Sequence, residues 1–174
     1  MIKHLNALGF SNVIHENRDF YKDVKLSKVP DYDILITNPP YSGDNKEKCV
    51  EYAAFSEKPW LLLLPNYVAT KEYFTRTFAD FASPCFVVPN TAYEYDHPKQ
   101  NTVRNIMSIW ICGFDNDVNQ AAQSWSQKAI EGCALCHTVQ ELKDNNYVSA
   151  PEEKRLNPRR RKLLAAAEAA QANQ

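Results

Sequence analysis

Glycine is scarce in this chain. The 174 residues include only four glycines, which lie far apart at Gly9, Gly43, Gly113 and Gly132. No two of them form a Gly-x-Gly turn, the arrangement that lets a backbone approach a bound cofactor closely. The sequence therefore lacks a glycine-rich cofactor loop.

Long apolar segments and a strong net charge are also missing. No segment is long and apolar enough to span a membrane, and the first residues lack the apolar run of a signal peptide. The formal net charge is −1, so any basic surface must be local. The five cysteines are an odd number, which is typical of reduced, buried thiols. We therefore expect an intracellular protein, cytoplasmic or nuclear, that does not contact a membrane.

Apolar runs alternate with helical stretches along much of the chain. The pattern predicts strands over 12–16, 33–37, 61–64, 85–88 and 106–112, and helices over 2–8, 45–55, 71–81 and 118–130. Strands that alternate with helices indicate an α/β fold with a mostly parallel sheet. Three parts are expected: an α/β domain over 1–115, a helical or irregular extension over 116–150, and a basic helix with a disordered tail over 151–174.

The most informative motif is Asn38-Pro39-Pro40-Tyr41, which directly follows the apolar run 34–36. In open α/β sheets, ligands bind beyond the carboxyl ends of the strands. Two prolines in succession present bare carbonyl oxygens in a stiff frame, because proline has a fixed φ and no N–H. The asparagine adds a side-chain acceptor, and the tyrosine offers a flat face for a planar base or amide. Such a loop can hold the hydrogens of an amine.

This loop resembles the catalytic motif of amino-methyltransferases that use S-adenosylmethionine. That family methylates adenine N6 in DNA or RNA and, in one branch, glutamine in proteins. The four residues match completely, and the acidic residues before the strand and the Ser42-Gly43-Asp44 segment after the motif fit as well. The alternative is an ordinary strand-ending turn, where Asn and Pro are common.

The resemblance implies a fold and a set of roles. The fold would be a partial class I (Rossmann-like) methyltransferase, with helices on both faces of a mostly parallel sheet and a C-terminal antiparallel hairpin. Residues 1–115 would be its domain, incomplete at the N-terminus. Asn38, Pro39, Pro40 and Tyr41 would be catalytic: Asn38 Oδ1 and the Pro39 carbonyl would accept hydrogen bonds from the target amine, and Tyr41 would stack on the base. No metal is required.

The cofactor side matches the family only in part. The family's glycine-rich loop and its acidic ribose-binding residue are missing, so the chain resembles roughly the later two thirds of the catalytic domain. Asp19 and Phe20 resemble the pair that binds the adenine of S-adenosylmethionine, or else are a turn aspartate and a core phenylalanine. The sequence is therefore a fragment, a chain completed by a partner subunit, or a non-catalytic relic. We expect binding of S-adenosylmethionine by this chain alone to be poor.

Candidate substrate-binding residues follow two other strands. Tyr95, His97 and Lys99 lie in a polar loop that mixes aromatic and charged side chains, which suits bases and phosphates; the alternative is a solvated hairpin loop. Asn66 follows the strand over 61–64 and either lines the pocket or enters the next helix. The basic run 154–162 could bind nucleic acid, serve as a nuclear localisation signal, or be a solvated face. Nucleic acid, DNA or RNA, is the expected partner.

Functions of other kinds compete with an adenine methyltransferase. The motif is also compatible with a non-catalytic nucleic-acid-binding or scaffold subunit, and, among enzymes, with a protein glutamine methyltransferase. Cys133-Ala134-Leu135-Cys136-His137 matches the attachment pattern of c-type haem. It could also be half a zinc site, or two cysteines in a connection between elements. The last interpretation is our expectation, and we predict no metal.

Overall fold

A computed structural model describes residues 2–79, 83–94, 107–114 and 131–148. The chain divides into two compact units, Met1–Tyr32 and Asp33–Gln174. Tyr95, His97, Lys99, the helix predicted over 118–130 and the basic run 154–162 lie outside the described residues. None of the helices in the described ranges has the length and apolar character that crossing a membrane would need.

The first unit contains two short helices, α1 (Ile2–Ala7) and α2 (Phe20–Lys25). Helix α1 confirms the helix predicted over 2–8, and Gly9 follows it with a φ of +93°, as expected for a glycine beyond a helix end. The strand predicted over 12–16 is wrong, because these residues adopt no regular structure. Neither helix buries a side chain.

The second unit contains the sheet and the remaining elements. Its strands are β1 (Leu35–Thr37), β2 (Trp60–Pro65), β3 (Cys85–Pro89), β4 (Ser108–Gly113) and β5 (Cys133–Cys136). Its helices are α3 (Asn45–Phe55), a 3₁₀ helix (Asn66–Thr70), α4 (Glu72–Thr77) and α5 (Val139–Asp144). The predicted helix over 71–81 is therefore shorter than expected, and Thr70 closes the 3₁₀ turn by donating to the Tyr67 carbonyl at 2.9 Å.

Within the described ranges the strands form one mixed sheet in the order β1-β2-β4-β3-β5. Strands β1 and β2 are parallel, whereas β2–β4, β3–β4 and β3–β5 are antiparallel pairs. The fold is thus α/β, as predicted, but the prediction of a mostly parallel sheet is wrong. Strand β5 follows the last predicted strand, over 106–112, and was not predicted.

The error in strand direction has a physical reason. Because β2 and β3 are both antiparallel to β4, they run in the same direction, and β1 shares that direction. The alternation of strands and helices therefore gives the correct direction for the first three strands. It does not reveal that β4 returns between β2 and β3, which replaces one expected parallel pair with two antiparallel pairs.

One face of the sheet carries the core. Directly opposed residues share a face, so Leu62 and Leu64 lie beside Ile111 and Ile109, and Phe86 lies beside Ile111. All five side chains are completely buried. Helices α3, α4 and α5 pack onto the same cluster. Helices on the opposite face stay a prediction.

Trp60 and Gly113 illustrate how closely this face is packed. The two residues are opposed in the β2–β4 pair. A Cβ atom at Gly113 would lie 2.2 Å from the Trp60 indole, far inside van der Waals contact. Glycine at this position therefore makes room for the tryptophan, which in turn stacks on Phe78 with ring centroids 5.9 Å apart.

Candidate functional site

The candidate site lies where the ends of three strands meet, at the edge of the sheet that is formed by the carboxyl ends of β1 and β2. Strands β1 and β2 are parallel and in register, with Thr37 opposite Leu62. Their carboxyl ends therefore point to the same edge, where Asn38 and Asn66 begin the two loops. Strand β4 runs the other way, so its first residue, Ser108, lies opposite Pro65 at this edge.

Pro39 ends the hydrogen-bond ladder between β1 and β2. The ladder begins with the Leu35 N–H, which donates to the Pro59 carbonyl at 3.0 Å. Every second residue of a parallel strand faces the same neighbour, so position 39 would be the donor that reaches the Leu63 carbonyl. Proline has no N–H, and the motif therefore stops the ladder directly after Asn38 and leaves that carbonyl to another donor.

The Tyr41 hydroxyl takes the place of the missing backbone donor. Its oxygen lies 3.4 Å from the Leu63 carbonyl oxygen and 3.3 Å from Ser108 Oγ. Ser108 is completely buried, so its hydroxyl depends on this contact. When Tyr41 donates to Leu63, Ser108 can donate to Tyr41, and all three groups are satisfied. The Tyr41 ring, half-buried, also packs against the core.

Asn38 and Pro40 are exposed, whereas Pro39 between them is buried. The buried proline fixes the loop, and the exposed asparagine presents its carboxamide to solvent. Within the part of the chain that the structure describes, this carboxamide makes no hydrogen bond. Its oxygen is therefore a free acceptor held on a rigid backbone.

Helix α3 supports the motif from its amino end. Lys46 Nζ donates to the Tyr41 carbonyl, and Asn45 Nδ2 donates to the Ser42 carbonyl at 2.9 Å. Gly43 has a φ of +56°, a conformation that strains any residue with a side chain. Asp44 precedes α3, and its carboxylate pairs with Lys48 at 2.7 Å and makes no cap hydrogen bond.

Asn66 connects the site to the end of the described chain. Its backbone N–H donates to the Met107 carbonyl at 2.8 Å, and its side-chain Nδ2 donates to the Tyr147 carbonyl at 2.6 Å. The residue is half-buried. Its amide nitrogen thus stabilises the fold, and only its Oδ1 is left for the predicted contact with a substrate.

Asp19 and Phe20 belong to the first unit. Asp19 is the N-cap of α2, and its Oδ1 accepts from the Lys22 N–H at 3.1 Å, a contact that stabilises a helix start. Phe20 packs edge-on against Tyr21 with ring centroids 5.6 Å apart. Their proposed role towards a cofactor adenine stays a prediction.

The polar loop after β3 is described only at its beginning, because Tyr95, His97 and Lys99 lie beyond the described residues. Tyr93, the last aromatic residue before that gap, accepts a hydrogen bond from Trp110 Nε1 at 3.1 Å. The loop therefore leaves β3 by contacting the face of β4 that carries Trp110.

The structure does not bring the two cysteines of the Cys-x-x-Cys-His pattern together. Cys133 and Cys136 lie in β5 itself rather than in a connection between elements. Successive strand residues point to opposite faces, so the two thiols, three positions apart, lie on different faces of the sheet. Their Cα atoms are roughly 10 Å apart at about 3.3 Å per residue. Among the residues described, no three potential metal ligands cluster.

Two contributors to this edge, Ser108 and Lys46, were not identified as such from the sequence. Neither was Tyr73, which packs against the core. Ser108 is a polar residue inside an apolar strand, a visible signal without an evident partner. Tyr73, in α4, has a hydroxyl that is buried and unpaired within the described ranges. Burial, with smaller contributions from the nearby Tyr67 and Glu47, raises the pKa of Tyr73 to about 12.

Comparisons of this chain with protein-family models, with curated proteins and with solved structures give no match.

The first prediction concerns the hydroxyl of Tyr41. Replacing Tyr41 by Phe leaves the Leu63 carbonyl and the Ser108 hydroxyl without their partner, and we expect a loss of about 1 kcal/mol in the free energy of unfolding. Urea denaturation measures it. In a double-mutant cycle with Ser108→Ala, the loss of stability in the double variant should be smaller than the sum of the losses in the two single variants. Tyr67→Phe, at an exposed position, is the matched control and should have little effect. Strictly additive losses for Tyr41→Phe and Ser108→Ala would contradict the contact between the two hydroxyls.

The second prediction concerns the unpaired hydroxyl of Tyr73. Because the pKa of Tyr73 is raised from its ordinary value of 10.0 to about 12 in the folded state, the folded protein keeps the proton to higher pH than the unfolded chain does. Stability therefore falls as the pH rises from 10 to 12. Tyr73→Phe removes this contribution. Urea denaturation should show a shallower alkaline decline and, at neutral pH, stability unchanged or raised by up to ~1 kcal/mol.

Part of the alkaline decline will remain in Tyr73→Phe, because burial also raises the pKa of Cys49 to about 12. A variant that is clearly less stable than the parent at neutral pH would show instead that the Tyr73 hydroxyl makes a stabilising bond.

Proposed function

We propose that this chain carries the amine-binding part of an S-adenosylmethionine-dependent methyltransferase that acts on an exocyclic amine, adenine N6 in DNA or RNA. The observation that carries the proposal is the position of Asn38. Its carboxamide is exposed and unpaired within the described residues. Asn38 lies directly after β1 and directly before Pro39, and the register with β2 places it beside Leu63.

The chemistry of an aryl amine explains why acceptors are needed. The lone pair of adenine N6 is delocalised into the ring, so the amine is a poor nucleophile. Hydrogen bonds from its two N–H groups to Asn38 Oδ1 and to the Pro39 carbonyl favour a more tetrahedral nitrogen. They also stabilise the positive charge that develops there. Both acceptors are attached to a stiff backbone, so little reorganisation is needed when the amine reacts.

Tyr41 supports the proposal through its fixed position. Its hydroxyl contacts Leu63 and Ser108 at 3.4 and 3.3 Å, and its carbonyl accepts from Lys46. Because its hydroxyl and its backbone carbonyl are both hydrogen-bonded, Tyr41 is a suitable platform for a planar base, since stacking needs a ring that does not rotate away. A base in a duplex would have to be flipped out to reach this platform, whereas a single strand would not.

The strand directions support the Rossmann-like form of the fold. Strands β1, β2 and β3 run in one direction, and β4 pairs antiparallel with β3, as expected for parallel strands followed by an antiparallel hairpin. The antiparallel strands in the described sheet are compatible with that fold because they follow the parallel pair in sequence. This finer assignment is part of the proposal.

S-adenosylmethionine would supply an activated methyl group on a sulfonium, but the residues present fit it incompletely. None of the glycines forms a Gly-x-Gly turn, and the Trp60 indole occupies the space beside Gly113. Asp19 already uses one carboxylate oxygen to cap α2. We therefore derive no step through the cofactor, and we propose that a partner subunit or further polypeptide completes its site.

A second candidate function follows from the same mismatch. A subunit that keeps the amine-binding motif and cannot hold the cofactor would bind nucleic acid or act as a scaffold without catalysing methyl transfer. Within enzymes, a glutamine side-chain amide is the other group whose N–H atoms the same acceptors could hold. An intracellular location, cytoplasmic or nuclear, fits each of these functions.

The third prediction addresses the cofactor. We expect a calorimetric titration of the full chain with S-adenosylmethionine to show no tight binding, because the glycine-rich loop is missing. Micromolar affinity would contradict this expectation and would favour an enzyme that acts alone. Addition of a partner that restores affinity would favour the completed enzyme over the scaffold.

The fourth prediction addresses the amine. A single-stranded oligonucleotide with adenine should bind the full chain more tightly than one with N6,N6-dimethyladenine, which has equal charge but no N–H at N6. Two hydrogen bonds of ~0.5–1 kcal/mol each give a ratio of roughly 10-fold. Fluorescence anisotropy at fixed salt measures both affinities.

Asn38→Ala should reduce that preference to roughly 3-fold, because the Pro39 carbonyl still accepts one hydrogen bond, and should leave the affinity for the dimethylated strand unchanged. Asn12→Ala, another exposed asparagine, is the matched control and should keep the full ratio. If the parent chain binds both strands equally, the proposal that Asn38 holds an adenine amine fails. A preference that stays at its full value in Asn38→Ala would assign the contact to other residues.

A further inference from the structure

Two cysteines that the candidate site does not use lie opposite each other in the sheet. Cys85 begins β3, Cys112 lies near the end of β4, and the two are direct partners in this antiparallel pair. Directly opposed residues project to the same face, so both thiols point to one side of the sheet. Both are free thiols in the structure, with Cys112 buried and Cys85 partly exposed.

The pairing pattern determines the spacing of the two residues. The Asn66 N–H bonds to the Met107 carbonyl, and the Asn90 N–H bonds to the Gly132 carbonyl. These bonds set the phase of the β2–β4 and β3–β5 ladders, since hydrogen-bonded and non-hydrogen-bonded pairs alternate. Counting along the strands from either bond makes Cys85–Cys112 a hydrogen-bonded pair of β3 and β4, with Cα atoms about 5.5 Å apart.

This spacing lies inside the range that a disulfide requires, about 4.4–6.8 Å between Cα atoms. In a hydrogen-bonded pair the Cβ atoms are more widely spaced than in a non-hydrogen-bonded pair, so closing the bond takes a small adjustment of both side chains. Disulfides that form under such constraint are more easily reduced, which is typical of reversible pairs rather than permanent structural ones.

We propose that Cys85 and Cys112 form a reversible redox pair, in which Cys85 reacts with an external disulfide and Cys112 resolves the product. The external oxidant is a low-molecular-weight disulfide such as oxidised glutathione. This site is independent of the proposed methyltransferase function.

The two thiols have different roles because their surroundings differ. A hydrogen bond from the Cys112 thiol lowers the pKa of Cys85, although burial opposes this effect. The same hydrogen bond and burial both raise the pKa of Cys112. Cys85 is thus the more accessible and the more acidic thiol, and the thiolate is the form that attacks a disulfide.

The reaction balances in two steps. The Cys85 thiolate attacks one sulfur of oxidised glutathione, which forms a mixed disulfide and releases one glutathione thiolate. Cys112 then loses its proton to solvent and attacks Cys85 Sγ, which forms the Cys85–Cys112 bond and releases the second glutathione thiolate. The protein loses two electrons and two protons, and the oxidant becomes two glutathione molecules.

The other three cysteines cannot substitute for either partner. Cys133 is opposite Pro89, four positions along β3 from Cys85, or roughly 13 Å at about 3.3 Å per residue. Cys136 is opposite Phe86 and therefore shares the other face of the sheet. Cys49 lies in the core with Phe86. Cross-strand geometry thus selects one pair out of the five cysteines.

The pair also lies towards the end of the strands away from the candidate site. Strand β3 begins, and β4 ends, at the edge of the sheet opposite to Asn38 and Asn66, because β3 runs parallel to β1 and β2. A bond there joins two central strands without contacting the residues that would hold the amine.

The fifth prediction is tested on the full chain at low concentration. After incubation with oxidised glutathione at about pH 8, acid quenching and alkylation, intact mass spectrometry should show the loss of two hydrogen atoms and no retained glutathione. Two of the five thiols should resist alkylation, and peptide mapping should link Cys85 to Cys112. Dithiothreitol should restore all thiols.

Single variants separate the two roles. Cys112→Ala should accumulate one glutathione on Cys85, because no thiol resolves it, whereas Cys85→Ala should form neither adduct nor disulfide. Cys133→Ala is the matched control and should react like the parent. A link between any other pair, a stable adduct on the parent, or no oxidation would overturn the proposal. Mapping of the parent chain decides the question alone if Cys112→Ala fails to fold.

Discussion

The parallel pairing of β1 with β2 determines where the groups of the candidate site lie. Parallel strands end at the same edge, so this pairing brings Asn38 and Asn66 to that edge although they are 28 positions apart in the sequence. The register, with Thr37 opposite Leu62, also makes Leu63 the carbonyl that faces the motif. A shift by one residue would exchange the faces of β1 and separate these groups.

Pro39 converts this pairing into an open site. Had position 39 carried an N–H, the ladder would continue and draw the following residues into the sheet. Proline stops the ladder, and the Tyr41 hydroxyl contacts the Leu63 carbonyl that has lost its backbone donor. The same hydroxyl also contacts Ser108 Oγ. The motif therefore turns away from the strand with its buried polar groups satisfied, which a rigid loop requires. Asn38 remains at the turning point, outside the network.

Local signals predicted the elements that local physics controls. The apolar runs gave β1, β2, β3 and β4, and the Asp44 segment gave α3. Helix α2 was missed because its six residues, Phe20–Lys25, are too few for a helical period to stand out, although Asp19 is an evident N-cap. Strand β5 was missed because Cys133–Cys136 is short and matches a metal-binding pattern, which drew attention to the thiols instead of the backbone.

What the sequence could not show depends on long-range neighbours. The insertion of β4 between β2 and β3 leaves no local trace, because a strand has the same residue pattern whichever way its neighbour runs. The contact between Tyr41 and Ser108 joins residues 67 positions apart, so no spacing rule predicts it. The same holds for Cys85 and Cys112, which only the strand register brings together.

Among the described residues of the candidate site, these contacts distinguish Asn38 from the side chains that stabilise the fold. The side chains of Tyr41, Asn66 and Lys46 all donate hydrogen bonds to backbone carbonyls. Replacing any of them therefore alters the loops as well as any contact with a ligand. Asn38 is held in place by a buried proline and contributes no side-chain hydrogen bond within the described residues. An exposed polar side chain at a rigid position, unused by folding, can be replaced without loss of structure. Its effect on ligand binding therefore reports on function alone.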